Sequence, residues 1–365
     1  MRAIVTGGGT GGHIYPALAI ADKIKEEEKD SEILYIGNDL GLEKDIVPKS
    51  GYPFKMVDAR WLLSASPKEL FLTSVSVLKG RNQALKIMKE FKPDVVIGTG
   101  GFVCVPVVLA GKKYGARTYI HEQNAYPGKA NRLLEGVVDK IFLGFKDASK
   151  YFKKPEKHVY AGNPVRKCFF EMEKEKARKE LGIPKDDFTV FVFGGSQGSE
   201  EIDKAIFPLL ETFSSTEGMT LIFGTGDYYY EDIMAGLREK GITLNQSVIM
   251  KAYFTDIEKY MAASDLIVGR SGALSVAETT AQGKAAIFIP SPNVTANHQF
   301  FNAKVVADKG GALIIEEKDM NSDNLRDAIL KIKDDKDLQK SMSEASFSCA
   351  PIDATDIIYS NLGDA

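Results

Sequence analysis

The chain has 365 residues, of which 44% are hydrophobic and 27% are charged. This length suits two domains, and the apolar content excludes a disordered chain. The net charge of -3 argues against a nucleic-acid-binding protein. The charge is uneven, because residues 1–162 carry 25 basic and 18 acidic side chains, whereas residues 163–365 carry 22 and 32. We therefore expect the first half to meet an anionic partner.

In the first half, short apolar runs alternate with amphipathic stretches. The runs predict strands at residues 3–6, 33–36, 95–98, 118–121 and 140–143, and the helical patterns include residues 15–28 and 82–91. This alternation is typical of an α/β domain with a doubly wound parallel sheet. The first residues run into glycines rather than into an apolar leader, so we expect no export signal.

A second series of strands follows the break at Gly162-Asn163-Pro164. The predicted strands are residues 189–193, 220–223, 247–251, 266–268 and 286–289. We predict domains at residues 1–163 and 164–340, of similar design. The last segment, residues 341–365, ends in a short predicted helix. This segment either packs back onto the first domain or is a frayed terminus.

A glycine-rich loop, the first glycine loop (residues 7–12), follows the first predicted strand and leads through His13 into a helix. Glycines let the backbone approach a phosphate, and the N–H groups at a helix N-terminus attract anions. The spacing also fits a dinucleotide fingerprint. That pattern needs an acidic residue closing the second strand, and here Asp39 comes one position late.

Two more glycine loops follow predicted strands, and we call residues 98–101 the second glycine loop and residues 194–199 the third. The third contains Ser196 and Gln197, whose hydroxyl and amide groups are further phosphate-binding donors. Open α/β sheets bind ligands at the carboxyl ends of their strands, so loops of both domains are expected to face one cleft that suits a diphosphate. Tight strand-to-helix packing is the alternative explanation for the glycines.

Polar side chains also gather at strand ends. Residues 121–124 read His-Glu-Gln-Asn, which indicates a site rather than a core. In the second half, Glu278 lies inside a helix that follows the turn at Arg270, and a carboxylate there suits the hydroxyls of a ribose. His298 and Gln299 are suited to sugar hydroxyls.

Together these motifs resemble the MurG family of GT-B glycosyltransferases over nearly the whole chain. The resemblance implies two Rossmann-like domains that face an interdomain cleft. It also implies inverting transfer of N-acetylglucosamine from UDP-N-acetylglucosamine to the 4-hydroxyl of MurNAc in undecaprenyl-diphosphate-MurNAc-pentapeptide (lipid I), which forms lipid II. It rests on residues 6–13, 98–102, 121–124, 162–166, 194–198 and 270–273, with Glu278, His298, Gln299 and Asn302.

The resemblance also implies residue roles. The first domain would bind lipid I and face the membrane, and the second would bind UDP-N-acetylglucosamine. In the implied donor site, Glu278 binds the ribose and the backbone of Phe254 contacts the uracil. Ser196 and Arg166 bind the diphosphate. The sugar is contacted by Asn124, Gln299, Ala273 and Leu274, with Gln197 and His298 beside them. The implied acceptor set is Thr10, Gly11 and Gly12 near the diphosphate and transferred sugar, with Gly98, Gly100 and Gly101 at the diphosphate.

The displacement needs a general base. His13 is the first candidate, because an imidazole titrates near neutral pH, and Glu122 is the second. The alternative for His13 is a turn residue that holds the loop by a hydrogen bond. No Asp-x-Asp metal motif accompanies the predicted cleft loops, so we expect no tightly bound cofactor, with a divalent cation at most stimulating turnover.

A further stripe suits a membrane surface. Phe71, Val75 and Leu78 repeat at helical spacing, and the neighbouring cations are Lys68, Lys79 and Arg81. The stripe either lies on an anionic inner membrane, peripherally on its cytoplasmic face, or is part of the core. The three scattered cysteines fit a reducing cytoplasm. Other enzymes of cell-wall synthesis are further candidate partners.

Two other functions stay open on the sequence. One is a related GT-B diacylglycerol glycosyltransferase, which shares the nucleotide site but lacks the polar motif at residues 121–124. The other is a non-catalytic protein that binds a nucleotide or lipid. The complete acceptor-side set favours the lipid I enzyme.

Overall fold

Seven parallel strands form the sheet of the first of two units. The computed structural model describes residues 1–60, 66–195, 198–294 and 297–363. The first unit comprises Met1–Arg166 and the C-terminal stretch from Pro351, and the second comprises Lys167–Ala350. No helix in these described ranges is both long and apolar enough to span a membrane.

The sheet of the first unit has the order β3-β2-β1-β4-β5-β6-β7. Each pair is parallel, so all strands end at the same edge. The edge strands β3 and β7 have three residues each and are partly exposed, which is why no apolar run predicts them. The strands are β1 (Arg2–Thr6), β2 (Glu32–Gly37), β3 (Phe54–Met56), β4 (Val95–Gly98), β5 (Arg117–Glu122), β6 (Lys140–Leu143) and β7 (His158–Tyr160).

Helices pack on both faces of this sheet. The first begins at Gly11, four residues before the predicted start, because the apolar pattern does not extend into the glycines. The third is a single helix of 25 residues, although the sequence predicts only its second half with an apolar stripe before it. The helices are α1 (Gly11–Glu27), α2 (Glu43–Lys49), α3 (Pro67–Phe91), α4 (Cys104–Tyr114) and α5 (Lys129–Leu134).

The second unit repeats this design with six parallel strands in the order β10-β9-β8-β11-β12-β13. Its strands are β8 (Phe188–Phe193), β9 (Met219–Gly224), β10 (Val248–Lys251), β11 (Leu266–Gly269), β12 (Ala285–Phe288) and β13 (Ala312–Ile314). Its helices are α6 (Cys168–Glu171), α7 (Lys174–Leu181), α8 (Glu200–Ile206), α9 (Leu210–Ser215), α10 (Tyr230–Glu239), α11 (Ile257–Ala263), α12 (Ala273–Ala281), α13 (His298–Ala307), α14 (Ser322–Asp334) and α15 (Lys336–Phe347). The predicted α/β class with two doubly wound parallel sheets is confirmed.

The C-terminal stretch ends in α16 (Ala354–Ser360), which packs against α1 of the first unit. Ile358 and Leu362 are fully buried there, and the Tyr359 hydroxyl donates to Glu28 at 3.1 Å. Residues 341–350 instead belong to the second unit, because α15 buries Met342 in the core of that unit. The segment that joins the first unit therefore starts later than the predicted residue 341.

Candidate functional site

Three loops of the first unit begin at the carboxyl ends of β1, β4 and β5, which are neighbours in the sheet. The first two loops touch, because the Gly8 amide donates to the Gly100 carbonyl at 3.2 Å. Gly100 and Gly101 have φ angles of 113° and 81°, which favour glycine, and a Cβ at Gly101 would collide with the backbone of Gly8. The glycines of the second loop therefore allow the first loop to lie against it.

His13 connects all three loops from the first turn of α1. Its Nδ1 lies 3.1 Å from the Thr99 carbonyl and 3.3 Å from the Gln123 Oε1. Because both of these atoms are acceptors, the proton of the neutral imidazole belongs on Nδ1 and the lone pair on Nε2. His13 therefore does form the hydrogen bond that holds the loop, as the alternative explanation expects. The same contacts fix the orientation of its ring.

Gln123 extends this network into the core. Its Nε2 donates to the Thr99 carbonyl at 2.6 Å and lies 3.1 Å from Nδ1 of His121. The other nitrogen of His121 is 2.9 Å from the Gly162 carbonyl. Burial lowers the pKa of His121 to about 4, so this imidazole is neutral near pH 7. His121 therefore ties β5 to the end of the first domain and takes no charge.

The first glycine loop is fixed by two buried side chains that the sequence analysis missed. Glu43, at the start of α2, accepts from the Gly9 amide at 2.9 Å and from the Asn38 amide at 3.2 Å. The Tyr35 hydroxyl donates to the Gly7 carbonyl at 2.7 Å. The Gly9 N–H therefore points at a carboxylate of the protein. The amides of Gly8 and Gly9 are thus engaged within the protein. The amides at residues 10–12, at the start of α1, remain candidates for binding an anion.

Glu122, the second candidate base, is buried at the end of β5 and receives four hydrogen bonds. It accepts from the amide and the side chain of Asn124 at 2.9 and 3.2 Å, from the Gly128 amide at 2.9 Å and from the Asn131 side chain at 2.9 Å. Both oxygens of this carboxylate thus accept hydrogen bonds from the chain that follows β5. The observed role of Glu122 is therefore to hold this loop.

The other acceptor-side candidates lie at the same edge. Thr10 and Gly12 are exposed, and Gly11 is half-buried at the start of α1. Gly98 is the buried last residue of β4. The Arg166 guanidinium lies 5.1 Å from the centre of the Tyr15 ring, which places its charge beside α1.

The apolar stripe lies on α3 and is exposed. Phe71 is 68% exposed, and Val75 and Leu78 also face solvent, so the core alternative is wrong for these three side chains. Lys68 is exposed, Lys79 forms an ion pair with Asp58 at 2.8 Å, and Arg81 is half-buried.

In the second unit, Arg270 connects the loops that follow β8, β11 and β12. Its guanidinium donates to the Ser199 hydroxyl at 2.6 Å and to the Ile289 carbonyl at 3.1 Å, and it forms an ion pair with Glu317. Because these strands are neighbours in the sheet, one guanidinium can connect the loops that follow all three. The predicted diphosphate-binding residues Ser196 and Gln197 lie outside the described residues.

The remaining donor candidates lie around α12 and α13. The Asn302 side chain donates to the Ser271 carbonyl at 3.2 Å, which links α13 to the turn before α12, and the Gln299 side chain accepts from the Ser291 amide at 2.9 Å. Ala273 is buried at the start of α12, whereas Leu274, Glu278 and His298 are half-buried. The ring of Phe254 packs against the rings of Tyr260 and Phe191, with distances between ring centres of 4.3 and 5.3 Å. Within the described residues, no cluster of three or more His, Cys, Asp or Glu side chains could hold a metal ion.

Comparison with known families gives two matches. Residues 3–143 match the glycosyltransferase family 28 N-terminal domain, and residues 189–356 match the glycosyltransferase family 28 C-terminal domain. Together these matches cover most of the chain.

Individual relatives match over their whole length. A protein of Acetivibrio thermocellus is 41% identical, covering 100% of this chain and 98% of its own, and one of Alkaliphilus oremlandii is 42% identical, covering 99% and 98%. Both are named "UDP-N-acetylglucosamine--N-acetylmuramyl-(pentapeptide) pyrophosphoryl-undecaprenol N-acetylglucosamine transferase". The crystal structure of Acinetobacter baumannii MurG superposes with a TM-score of 0.75 at 25% identity, covering 99% of this chain and 98% of that one. The chain therefore belongs to glycosyltransferase family 28, among these N-acetylglucosamine transferases.

Proposed function

We propose that this chain transfers N-acetylglucosamine from UDP-N-acetylglucosamine to the 4-hydroxyl of the MurNAc unit of undecaprenyl-diphosphate-MurNAc-pentapeptide, giving a β1,4-linked disaccharide. The observation that carries the proposal is identity of 41–42% to transferases of this name over essentially the full chain. The glycine and polar loops at the strand ends of each unit support the proposal, because open α/β sheets bind ligands at this edge.

The chemical step is a single displacement at the anomeric carbon. The acceptor oxygen forms a bond to C1 while the bond from C1 to the UDP oxygen breaks, which inverts the configuration. His13 takes the proton of the acceptor hydroxyl on Nε2, because its hydrogen bonds to Thr99 and Gln123 hold the proton on Nδ1. The proposal makes His13 the catalytic base and Glu122 a positioning residue.

The charge that develops on the departing UDP needs stabilisation. We assign this role to Arg166, to Ser196 and to the backbone N–H groups at the start of α12. Each such donor is worth about 3 kcal/mol on the scale of oxyanion holes. Glu278 and the backbone of Phe254 complete the proposed nucleotide site, and Asn124 and Gln299 complete the proposed sugar site.

The activity is tested by incubating the full chain with labelled UDP-N-acetylglucosamine and a short-chain lipid I analogue, with UDP release and sugar transfer followed together. UDP-glucose with diacylglycerol runs in parallel. We expect transfer to the lipid I analogue alone. Transfer to diacylglycerol would assign the chain to the other enzyme class, and UDP binding without transfer to either acceptor would contradict the acceptor half of the proposal.

We further propose that the exposed stripe on α3 rests peripherally on the cytoplasmic face of an anionic membrane, where the lipid acceptor lies. Burial of each apolar side chain contributes roughly 1.5–3 kcal/mol, and each free cation near anionic lipid about 1 kcal/mol. The exposure of Phe71 and its two neighbours supports this role. The ion pair of Lys79 with Asp58 weakens the contribution of that cation.

Sedimentation with anionic and with zwitterionic vesicles tests the membrane role. We expect the double variant Phe71→Asp, Leu78→Asp to lose binding to anionic vesicles by at least about tenfold. Ile352→Asp is the matched control, since Ile352 is 53% exposed and Leu78 is 51% exposed. Equal binding by the double variant and the control would contradict this role of α3.

A further inference from the structure

Asp203 is a buried acid that the mechanism above does not use. It lies in α8, and its backbone amide donates to the Ser199 carbonyl at 2.9 Å, so it belongs to the turn that follows the third glycine loop. Its residue surface is 5% exposed. Neither carboxylate oxygen has a hydrogen-bond partner among the described residues. A buried acid without partners is unfavourable in its ionised form.

The charges around Asp203 do not neutralise it. Arg270 is the cation that acts on it, but the same guanidinium already pairs with Glu317 and donates to Ser199. Glu200, in the first turn of α8, adds negative charge. Helix α14 also packs against α8, and its Arg326 pairs with the exposed Asp323 and Asp327.

Burial therefore dominates the titration of this group. It raises the pKa of Asp203 to about 7, with Arg270 acting in the opposite direction and Glu200 in the same direction. Near neutral pH the free protein thus holds both the acid and the carboxylate form at this position.

The position of Asp203 makes its charge relevant to an anionic ligand. Arg270 touches the last residue of the third glycine loop and precedes α12 by three residues. A diphosphate bound beside Arg270 would bring negative charge toward the cation that already pairs with Glu317 and acts electrostatically on Asp203. Protonation of Asp203 removes one of the competing negative charges without moving the backbone.

We propose that Asp203 takes up a proton when a nucleoside diphosphate sugar binds beside Arg270 and the start of α12, and so sets the pH range in which the donor binds tightly. The proposal rests on the proposed function for the class of donor. It adds a residue that tunes donor affinity and that no glycine motif indicates, and it makes donor affinity decrease as the pH rises.

The direct test is titration calorimetry of the full chain with UDP-N-acetylglucosamine at about pH 7.5, in two buffers that differ in ionisation enthalpy. Donor binding by the natural sequence should take up roughly half a proton if the pKa of Asp203 rises by about one unit in the complex. The ligand itself takes up none, because its diphosphate lacks the terminal ionisation near about pH 6. Asp203→Asn should take up none, and Glu201→Gln, an exposed change on the same helix, should keep the uptake.

A second measurement separates this role from simple damage to the fold. The dissociation constant of the natural sequence should rise about sevenfold between about pH 6 and about pH 8.5, for a one-unit rise of the pKa on binding. Asp203→Asn should bind with little pH dependence, and more tightly than the natural sequence at the upper end. Distortion of the site would weaken binding instead of strengthening it.

The outcomes distinguish this inference from the proposed function. Tight donor binding without proton uptake, or equal uptake by Asp203→Asn, would overturn the role of Asp203 and leave the donor assignment standing. Absence of any UDP-N-acetylglucosamine binding by the natural sequence would overturn both.

Discussion

The strand-end loops of the two units are fixed by different physical means. In the first unit, neutral groups and carboxylates with satisfied hydrogen bonds hold the loops: Tyr35 and Glu43 hold the first glycine loop, and Glu122 holds the chain after β5. In the second unit a single cation, Arg270, gathers three loops while Asp203 stays buried beside it. The hydrogen bonds of the first arrangement are satisfied by the protein itself, whereas the second, as we propose above, responds to added charge.

The largest effect that tests this contrast is expected at His13, the proposed base in the first unit. His13→Ala should lower kcat by about 10²–10⁴-fold, the usual contribution of a general base. His13→Asn is the sharper variant, because its amide can still donate to the Thr99 carbonyl but has no basic nitrogen. Initial rates at saturating concentrations of both substrates measure the effect.

The two variants separate catalysis from loop support. If His13 acts as the base, both should lose activity alike while UDP-N-acetylglucosamine binding stays unchanged. Recovery of most of kcat in His13→Asn would mean that His13 only holds the loops, and the base would lie elsewhere.

A smaller effect is expected from Glu43, which holds the first glycine loop without touching substrate. Glu43→Gln places amide hydrogens toward the Gly9 or Asn38 N–H. The loss of hydrogen bonds to a charged acceptor costs about 1.5–3 kcal/mol, so kcat/KM for the lipid acceptor should fall about 10–150-fold. The KM for UDP-N-acetylglucosamine should change much less, because most of the proposed donor contacts, at Glu278, Phe254 and Gln299, lie in the second unit.

The control for Glu43 lies on the same helix. Asp45 is exposed in the first turn of α2, so Asp45→Asn makes the same change of charge without a buried contact. It should keep full activity. An equal loss in both variants, or a parallel rise of the donor KM in Glu43→Gln, would show that α2 acts through general stability and not through the glycine loop.

A buried lysine of the second unit should make the free energy of unfolding depend on pH. Lys284 is buried, its Nζ donates to the carbonyls of Ala262 and Ser264 at 2.7 and 2.8 Å, and burial lowers its pKa to about 7 from 10.5. Between these values the unfolded chain binds more protons than the folded one. The free energy of unfolding should therefore rise with pH from about pH 7, by up to about 1.4 kcal/mol per pH unit.

Urea unfolding of the second unit between about pH 7 and about pH 9 measures this slope. Lys284→Met keeps most of the side-chain volume and cannot titrate, so the difference between the two proteins isolates the lysine. Asp203 acts in the opposite direction near pH 7, because its raised pKa of about 7 means that the folded chain binds more protons there than the unfolded chain, and this opposing slope fades above about pH 8. Identical slopes in the two proteins would contradict a neutral buried lysine.

The sequence predicts most of this architecture because its signals are local. Parallel strands in the core are continuous apolar runs, so ten of the thirteen strands in the described part of the chain follow from the sequence, and the three that do not are edge strands of three residues. The glycine loops and His13 are predictable for the same reason, since each follows directly after such a run.

The supports of the site are not local, and this is why the sequence does not reveal them. Glu43 reaches the Gly9 amide across 34 residues, and the Tyr35 hydroxyl reaches Gly7 across 28. The residue type of Glu122 suggests a catalytic carboxylate, and only the four hydrogen bonds that it accepts from three residues show that it holds a loop. Asp203 looks like an ordinary helical acid until its burial is known.

The smallest predicted effect tests how redundantly the first glycine loop is held. Burial raises the pKa of Tyr35 well above its ordinary value, so its hydroxyl remains a donor to the Gly7 carbonyl. Tyr35→Phe removes this one bond and should lower the free energy of unfolding by about 0.5–1.5 kcal/mol. Because Glu43 still holds Gly9, kcat should change by less than about threefold, which corresponds to less than about 0.7 kcal/mol. A larger loss of kcat would mean that the loop depends on each of its bonds, and the first unit would then be less firmly organised than its satisfied hydrogen bonds suggest.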